Sequence, residues 1–197
     1  MRIATVLEPA LAGEDRLAVR THAAHTVVVV ADGAGGVGGG AAAAQRICDA
    51  VVATTGDDVD WAHLLAGLDA AMARDPSPGW STAVVVEIRA GRVRGASVGD
   101  SAAFVVAAGG LRELSARQRR KPLLGSGEAV PVAFGPEPLD GRLLVASDGL
   151  VKYVAHGRLA SIAGASSTAG AAAALLDACR LPAGGLQDDV AIVLLGP

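Results

Sequence analysis

Four aspartates in this 197-residue chain share one setting, and together they could hold divalent cations. Asp32 closes the run "VVVVA", Asp100 closes "VRGASVG", Asp148 closes "RLLVAS", and Asp188 with Asp189 opens "VAIVLL". Each stands where a buried strand meets a loop. Turn chemistry explains any one of them alone, because Asp accepts backbone hydrogen bonds and an adjacent Gly supplies positive φ. As a set they say more. Sheet strands ending on one side would bring these carboxylates together, and their mutual repulsion would then call for cations. Hard ions such as Mg²⁺ or Mn²⁺ suit an oxygen-only donor set, and zinc suits it less well.

The elements that must position these groups can be read from periodicity. "RIATVL" and "RLAVRT" read as short strands, and "HTVVVVAD" as a third, more buried one. Helical spacing runs from about Gly39 to Ala53 and again from about Val59 to Ala73, with a Gly-Asp-Asp break between. After the turn "RDPSPGW", the segments "STAVVVEIR" and "RVRGASVGD" form a hairpin about "AG", and "SAAFVVAA" continues the meander. From Leu114 to Asp140 no period persists, and this stretch reads as loop or irregular subdomain. "GRLLVASDG" returns to strand, two short helices follow, and "DVAIVLLG" is a last strand. Strands in meander order with helices in two blocks argue for an α+β class with antiparallel sheets.

Composition excludes several functions. The length fits one domain with a core that needs no disulfide or structural metal. Apolar residues make up 51% and aromatics only 3%, so the core is built of Ala, Val and Leu. Mean hydropathy is +0.42, yet the one charge-free stretch, Leu159 to Leu176, is interrupted by Ser, Thr and Gly and reads as two packed helices rather than a membrane span. A net charge of -3 gives no support for nucleic-acid binding, and the basic run "RQRRK", Arg117 to Lys121, reads as a solvated loop. Cys48 and Cys179 lie in helical patterns and read as buried, reduced thiols. The N-terminus lacks the apolar segment of a secretory signal, so the expected location is cytoplasmic. His22, His25, His63 and His156 show no ligand spacing.

Taken in order, "GED", "VVVVADGAGG", "WSTAVVVEI", "GASVGDSAA", "LLVASDGL" and "DDVAIVLL" resemble the successive blocks of the metal-dependent protein phosphatases, the type 2C serine/threonine phosphatases, in a compact bacterial form. The resemblance covers nearly the whole chain. It implies an α+β, four-layer αββα sandwich of two antiparallel sheets flanked by helices, as a single domain over residues 1–197 with a shortened flap at about 115–140. It also implies a site of two Mn²⁺ or Mg²⁺ ions. By position, Asp32 would bridge both ions, the Gly33 carbonyl would ligate one, and Asp148 and Asp188 would complete the other. Asp100 matches a residue that helps hold a third ion in bacterial members, and Glu14 and Asp15 match an acidic pair that acts through metal-bound water. Activity would be hydrolysis of phosphoserine or phosphothreonine in a protein by metal-bound water, opposing a serine/threonine kinase in signalling. Neither Ser101 nor Ser147 has the His partner of a covalent nucleophile.

The chain also departs from that family. Ala10 stands where an arginine commonly grips the substrate phosphate, Ala34 where some relatives carry a histidine, and Ala102 where "GDSR" is usual. Loss of a bidentate Arg–phosphate contact would weaken substrate binding unless another cation substitutes. The alternatives are a weakened, metal-binding regulatory or interaction module and a phosphatase for small phosphorylated metabolites. Retention of Asp32, Asp148 and Asp188 favours an enzyme.

Overall fold

A computed structural model describes residues 1–10, 12–23, 25–35, 39–75, 79–165 and 167–196. Part of the glycine run after Asp32 (36–38) and of the "RDPSPGW" turn (76–78) thus lies outside the described residues. In chain order the first half contains β1 (Arg2–Glu8), β2 (Arg16–His22), β3 (His25–Ala31), the short β4 (Gly33–Ala34), α1 (Gly40–Ala53) and α2 (Trp61–Met72). Next come β5 (Trp80–Ser81), β6 (Ala83–Arg89), β7 (Arg92–Val98), β8 (Ala102–Ala107), β9 (Gly110–Glu113) and β10 (Val132–Pro138). The last part holds β11 (Arg142–Ala146), α3 (Asp148–Val151), α4 (His156–Ala165), α5 (Thr168–Cys179) and β12 (Val190–Gly196).

Two five-stranded antiparallel sheets result, one ordered β1-β12-β11-β8-β9 and the other β10-β7-β6-β3-β2. The valine run of β3 shows why they stack. Successive side chains point to opposite faces, so Val27, Val29 and Ala31 join Ile47, Leu65 and Met72 beneath α1 and α2. Val28 and Val30 instead meet Val105, Val145 and Val193 of the other sheet. On that sheet's far face, Phe104, Leu144 and Ile192 pack against Leu159, Ala172 and Leu175 of α4 and α5. Three apolar layers between four structural ones therefore require strands that are apolar on both faces, and β3 and β12 are, as is β6 apart from the buried Glu87. Small side chains let the helices lie close: α1 buries Ala43, Ala44, Ile47, Cys48 and Val51 along one stripe.

The architecture implied by the sequence is thus present, and its strand and helix bounds agree to within about two residues at most ends. One segment differs. The stretch from Leu114 to Asp140, expected to be irregular, contains β10, which pairs antiparallel with β7 as an outer strand. Gly135 and Pro136 fall at a register shift between Phe134 and Glu137, and this break hides the strand from any period-2 reading. The four-residue β9 was likewise not expected. The charge-free stretch divides into α4 and α5, and among the described residues no helix is long and apolar enough to cross a membrane.

Candidate metal centre

Strand ends deliver the aspartates to one edge of the sandwich. Asp32 follows β3, Asp100 lies in the turn between β7 and β8, and Asp148 begins α3 directly after β11. One carboxylate oxygen from each falls within 4.8 Å of the other two. Asp188 precedes β12, and Asp15 precedes β2 and is buried at 3% exposure. Gly149 is the residue that permits this convergence, since any side chain there would run into the Asp189 backbone. Glu14 turns toward α1: a Cβ on Gly40 would stand 2.6 Å from its Oε1. Gly33, buried next to Asp32, packs its backbone on Gly40.

These acids repel one another in a setting that water reaches poorly. Burial first, and then the charges of Asp15, Asp148, Asp188 and Asp100, push the Asp32 carboxyl up to about 9. Burial also raises Asp15 to about 7, with Asp189, Asp148 and Asp188 adding to the rise and a hydrogen bond to Ser147 opposing it. Asp148 is raised by burial and by Asp100, against the pull of Lys152. Asp15 Oδ2 is buried without a hydrogen-bond partner. An oxygen-only donor set with an orphaned carboxylate oxygen fits hard divalent cations, whose charge would cancel the repulsion.

Neutral residues fix the frame. The Thr82 hydroxyl accepts the Asp32 N–H at 3.0 Å, the Ser81 hydroxyl donates to the Asp32 carbonyl at 2.9 Å, and the Thr82 N–H donates to that carbonyl at 2.9 Å. Thr82 in turn shares a 2.6 Å hydrogen bond with Ser101. Asp189, next to the expected ligand Asp188, has another task. Its carboxylate accepts the N–H groups of Ala10 at 2.7 Å and Glu14 at 2.6 Å, tying the loop after β1 to the site.

Two cations lie at the cluster. Arg120, inside "RQRRK", places Nη2 3.0 Å from Asp100 Oδ2, and Lys152 Nζ stands 3.3 Å from Asp148 Oδ2. The Gly99 N–H also donates to the Arg119 carbonyl and Gln118 Nε2 donates to the Ser101 carbonyl at 2.9 Å, so this basic loop is docked on the Asp100 turn while its Arg and Lys side chains stay exposed. A cleft of about 320 Å³ opens there between Asp100, Gln118, Arg120, Asp148 and Lys152. A larger cavity, of about 680 Å³ around Leu139, Arg142 and Ala160, lies away from the carboxylates.

Of the residues expected at the site, Asp32, Asp100 and Asp148 converge within ligand reach, and Asp15 and Asp188 are near enough to act on Asp32 by charge. Sequence reasoning missed the work of Thr82, Asp189 and Lys152. The block "WST" carried the only signal for Thr82, Asp189 stood out only as the neighbour of Asp188 in "DDVAIVLL", and for Lys152 there was none. Ser101 and Ser147 are fully buried with their hydroxyls engaged, Ser101 by Thr82 and Ser147 as acceptor of the Ala191 N–H.

Known proteins agree with this architecture. A family model described as Stage II sporulation protein E (SpoIIE) matches residues 22–196. A crystal structure of a bacterial serine phosphatase superposes with a TM-score of 0.84 at 16% identity, covering 100% of this chain and 97% of the other. The S. agalactiae serine/threonine phosphatase gives 0.82 at 18%, covering 99% and 98%. The catalytic domain of the serine/threonine protein phosphatase PstP, solved in complex with 2 manganese ions, gives 0.75 at 20%, covering 99% and 97%. At these identities the likeness is one of fold. No curated protein sequence matches the chain.

Proposed function

The chain belongs to the Stage II sporulation protein E (SpoIIE) family, and from that membership and its clustered carboxylates we propose that it is a phosphatase dependent on Mn²⁺ or Mg²⁺, acting on phosphoserine or phosphothreonine in a protein. The carrying observation is the convergence of Asp32, Asp100 and Asp148 within 4.8 Å at a strand-end edge. In this reading residues 1–197 act as one catalytic domain in the cytoplasm, opposing a serine/threonine kinase.

Asp32 would lie between two ions, the Gly33 carbonyl would serve one, and Asp148 with Asp188 would serve the other. Asp100 would hold a third, and Glu14 and Asp15 would act through coordinated water. Bound ions supply the activation of water and the neutralisation of charge on the phosphate. The protein's own residues do the remainder. Thr82 and Ser81 hold Asp32 by its backbone, so its oxygens stay aimed at the cluster. Asp189 fixes the Ala10–Glu14 loop against the site. Arg120 and Lys152 offer positive charge at the cleft where Ala10 supplies none, and they would meet the anionic ester. Neither Ser101 nor Ser147 is free to attack, because both are buried and engaged.

Ala10 is the observation that favours the non-catalytic reading, and the open cleft favours a small metabolite ester as substrate. Turnover of a chromogenic phosphate ester and of phosphoserine and phosphothreonine peptides, measured against Mn²⁺ concentration, tests all three. Metal-dependent hydrolysis of peptides, lost in Asp32→Asn, is expected. Faster turnover of sugar or nucleotide phosphates would redirect the substrate assignment, and full metal occupancy without turnover of any ester would overturn the enzyme.

A further inference from the structure

A sheet edge exposes unpaired N–H and C=O groups, and proteins normally blunt it with short strands, bulges, Pro or charge. Three of the four edges here follow that rule. β9 has four residues, β10 carries Gly135, Pro136 and a register shift, and β2 carries Arg16, Arg20 and His22. β1 does not. Its sequence, RIATVLE, pairs with β12 in unbroken register from Arg2 to Glu8, and among the described residues no strand pairs with its other side.

The side chains of β1 add to this exposure. Ile3, Thr5 and Leu7 pair directly with Leu195, Val193 and Ala191, which face the layer between the sheets. They therefore share that face, yet Ile3 is 38% and Leu7 48% exposed. β12 is the strand that lies against β2, so β1 extends beyond it and carries Ile3, Thr5 and Leu7 as an exposed stripe.

We propose that β1 is a homodimer interface, pairing antiparallel with the β1 of a second copy about a two-fold axis at Thr5. The strand is self-complementary in that register: Arg2 faces Glu8, Ile3 faces Leu7, Ala4 faces Val6, and Thr5 faces itself. A two-fold contact must match one patch to itself, and here opposite charges meet at both ends with the exposed aliphatics between them. Glu8 already lies 3.8 Å from Arg180 Nη2, so the incoming Arg2 completes a cation pair about one carboxylate. The two copies share one continuous sheet, and the unsatisfied edge disappears from both.

Sedimentation equilibrium of the wild-type chain at about 10 and about 200 µM should show the mean mass rising with concentration toward twice the 19.5 kDa of one chain. Leu7→Lys puts a charge in the stripe and should return the single-chain mass. Arg2→Glu and Glu8→Arg should each weaken association about tenfold, and an equimolar mixture of these two variants should recover it, because every end pair then joins opposite charges. Thr5→Cys should cross-link to itself under mild oxidation, while the native Cys48 and Cys179 stay buried. Circular dichroism checks that each variant is folded, and should Leu7→Lys fail to fold, the end-charge variants and Thr5→Cys decide. A single-chain mass at both concentrations overturns the proposal. So does a dimer that folded Leu7→Lys leaves intact or that Thr5→Cys does not cross-link.

Discussion

Buried acids occur in two places in this molecule, and their surroundings could hardly differ more. Under α2, Asp69 is 3% exposed and its two oxygens accept the N–H groups of Gly125, Gly127 and Ala129 at 2.7–3.0 Å. Glu87, 1% exposed, accepts from Trp61 Nε1 at 2.7 Å and from Arg94 Nε at 2.9 Å. At the candidate metal centre Asp15, Asp32 and Asp148 crowd one another with Lys152 as the cation beside Asp148, and Asp15 Oδ2 has no donor at all. Burial alone does not separate a structural acid from a functional one. The supply of donors does: an acid the chain satisfies holds the fold together, whereas acids left facing each other wait for something from outside.

That contrast can be broken at either place. The largest effect should come from Asp32→Asn, which is expected to lower metal-dependent turnover about 10³-fold while raising the melting temperature of the metal-free chain at neutral pH, since Asn enters the crowded site without the proton that Asp32 must take up on folding. The same crowding has a pH signature. Asp32 and Asp15 keep their protons to about 9 and about 7 when folded, against an ordinary value of 3.8. Folding therefore takes up protons, so metal-free stability is greatest below about pH 4 as far as these two groups are concerned and is lost as pH climbs through the folded values. Melting scans between pH 4 and 9 should show this decline, and saturating Mn²⁺ should flatten it; a flat metal-free profile would contradict the clustering.

Changes to the satisfied acids should reverse the pattern. Glu87→Ala leaves Arg94 and Trp61 without their acceptor and should cost about 3 kcal/mol in urea unfolding, with calorimetric Mn²⁺ binding by the folded protein unchanged. Asp69→Ala releases the Gly125–Ala129 loop and should cost about 2 kcal/mol, again without loss of metal. Arg120→Ala is the mildest. Its side chain is 72% exposed, so KM for a phosphopeptide should rise about threefold to fivefold with kcat little changed, and an unchanged KM would remove Arg120 from substrate binding.

How much of this could be read beforehand depended on whether the signal lay along the chain or across it. "VVVVA" announced a strand apolar on both faces because two-sided burial leaves no alternation, and Asp32, Asp100 and Asp148 were legible because each follows its strand directly. β10 was not, since Gly135 and Pro136 interrupt it at a bulge that only the partner strand defines. Asp189 looked like a twin of Asp188, yet alternation along the chain sends the two side chains different ways, one toward the cluster and the other onto amides some 175 residues distant. "RQRRK" read as solvated. Most of it is, but Arg120 reaches Asp100 because the Arg119 carbonyl docks on the Gly99 amide, a contact across 20 residues with no period of its own.

The tie between Asp189 and the amides of Ala10 and Glu14 also bears on when the protein becomes competent during synthesis. β1 has no partner in its sheet until β12 exists, and the Ala10 and Glu14 amides wait for the Asp189 carboxylate that precedes it. Such long-range closure comes late in folding. A nascent chain that already displays Asp32, Asp100 and Asp148 thus still lacks the Asp189 tie and a fixed N-terminal loop, and this edge of the sandwich closes with β12 rather than accumulating residue by residue.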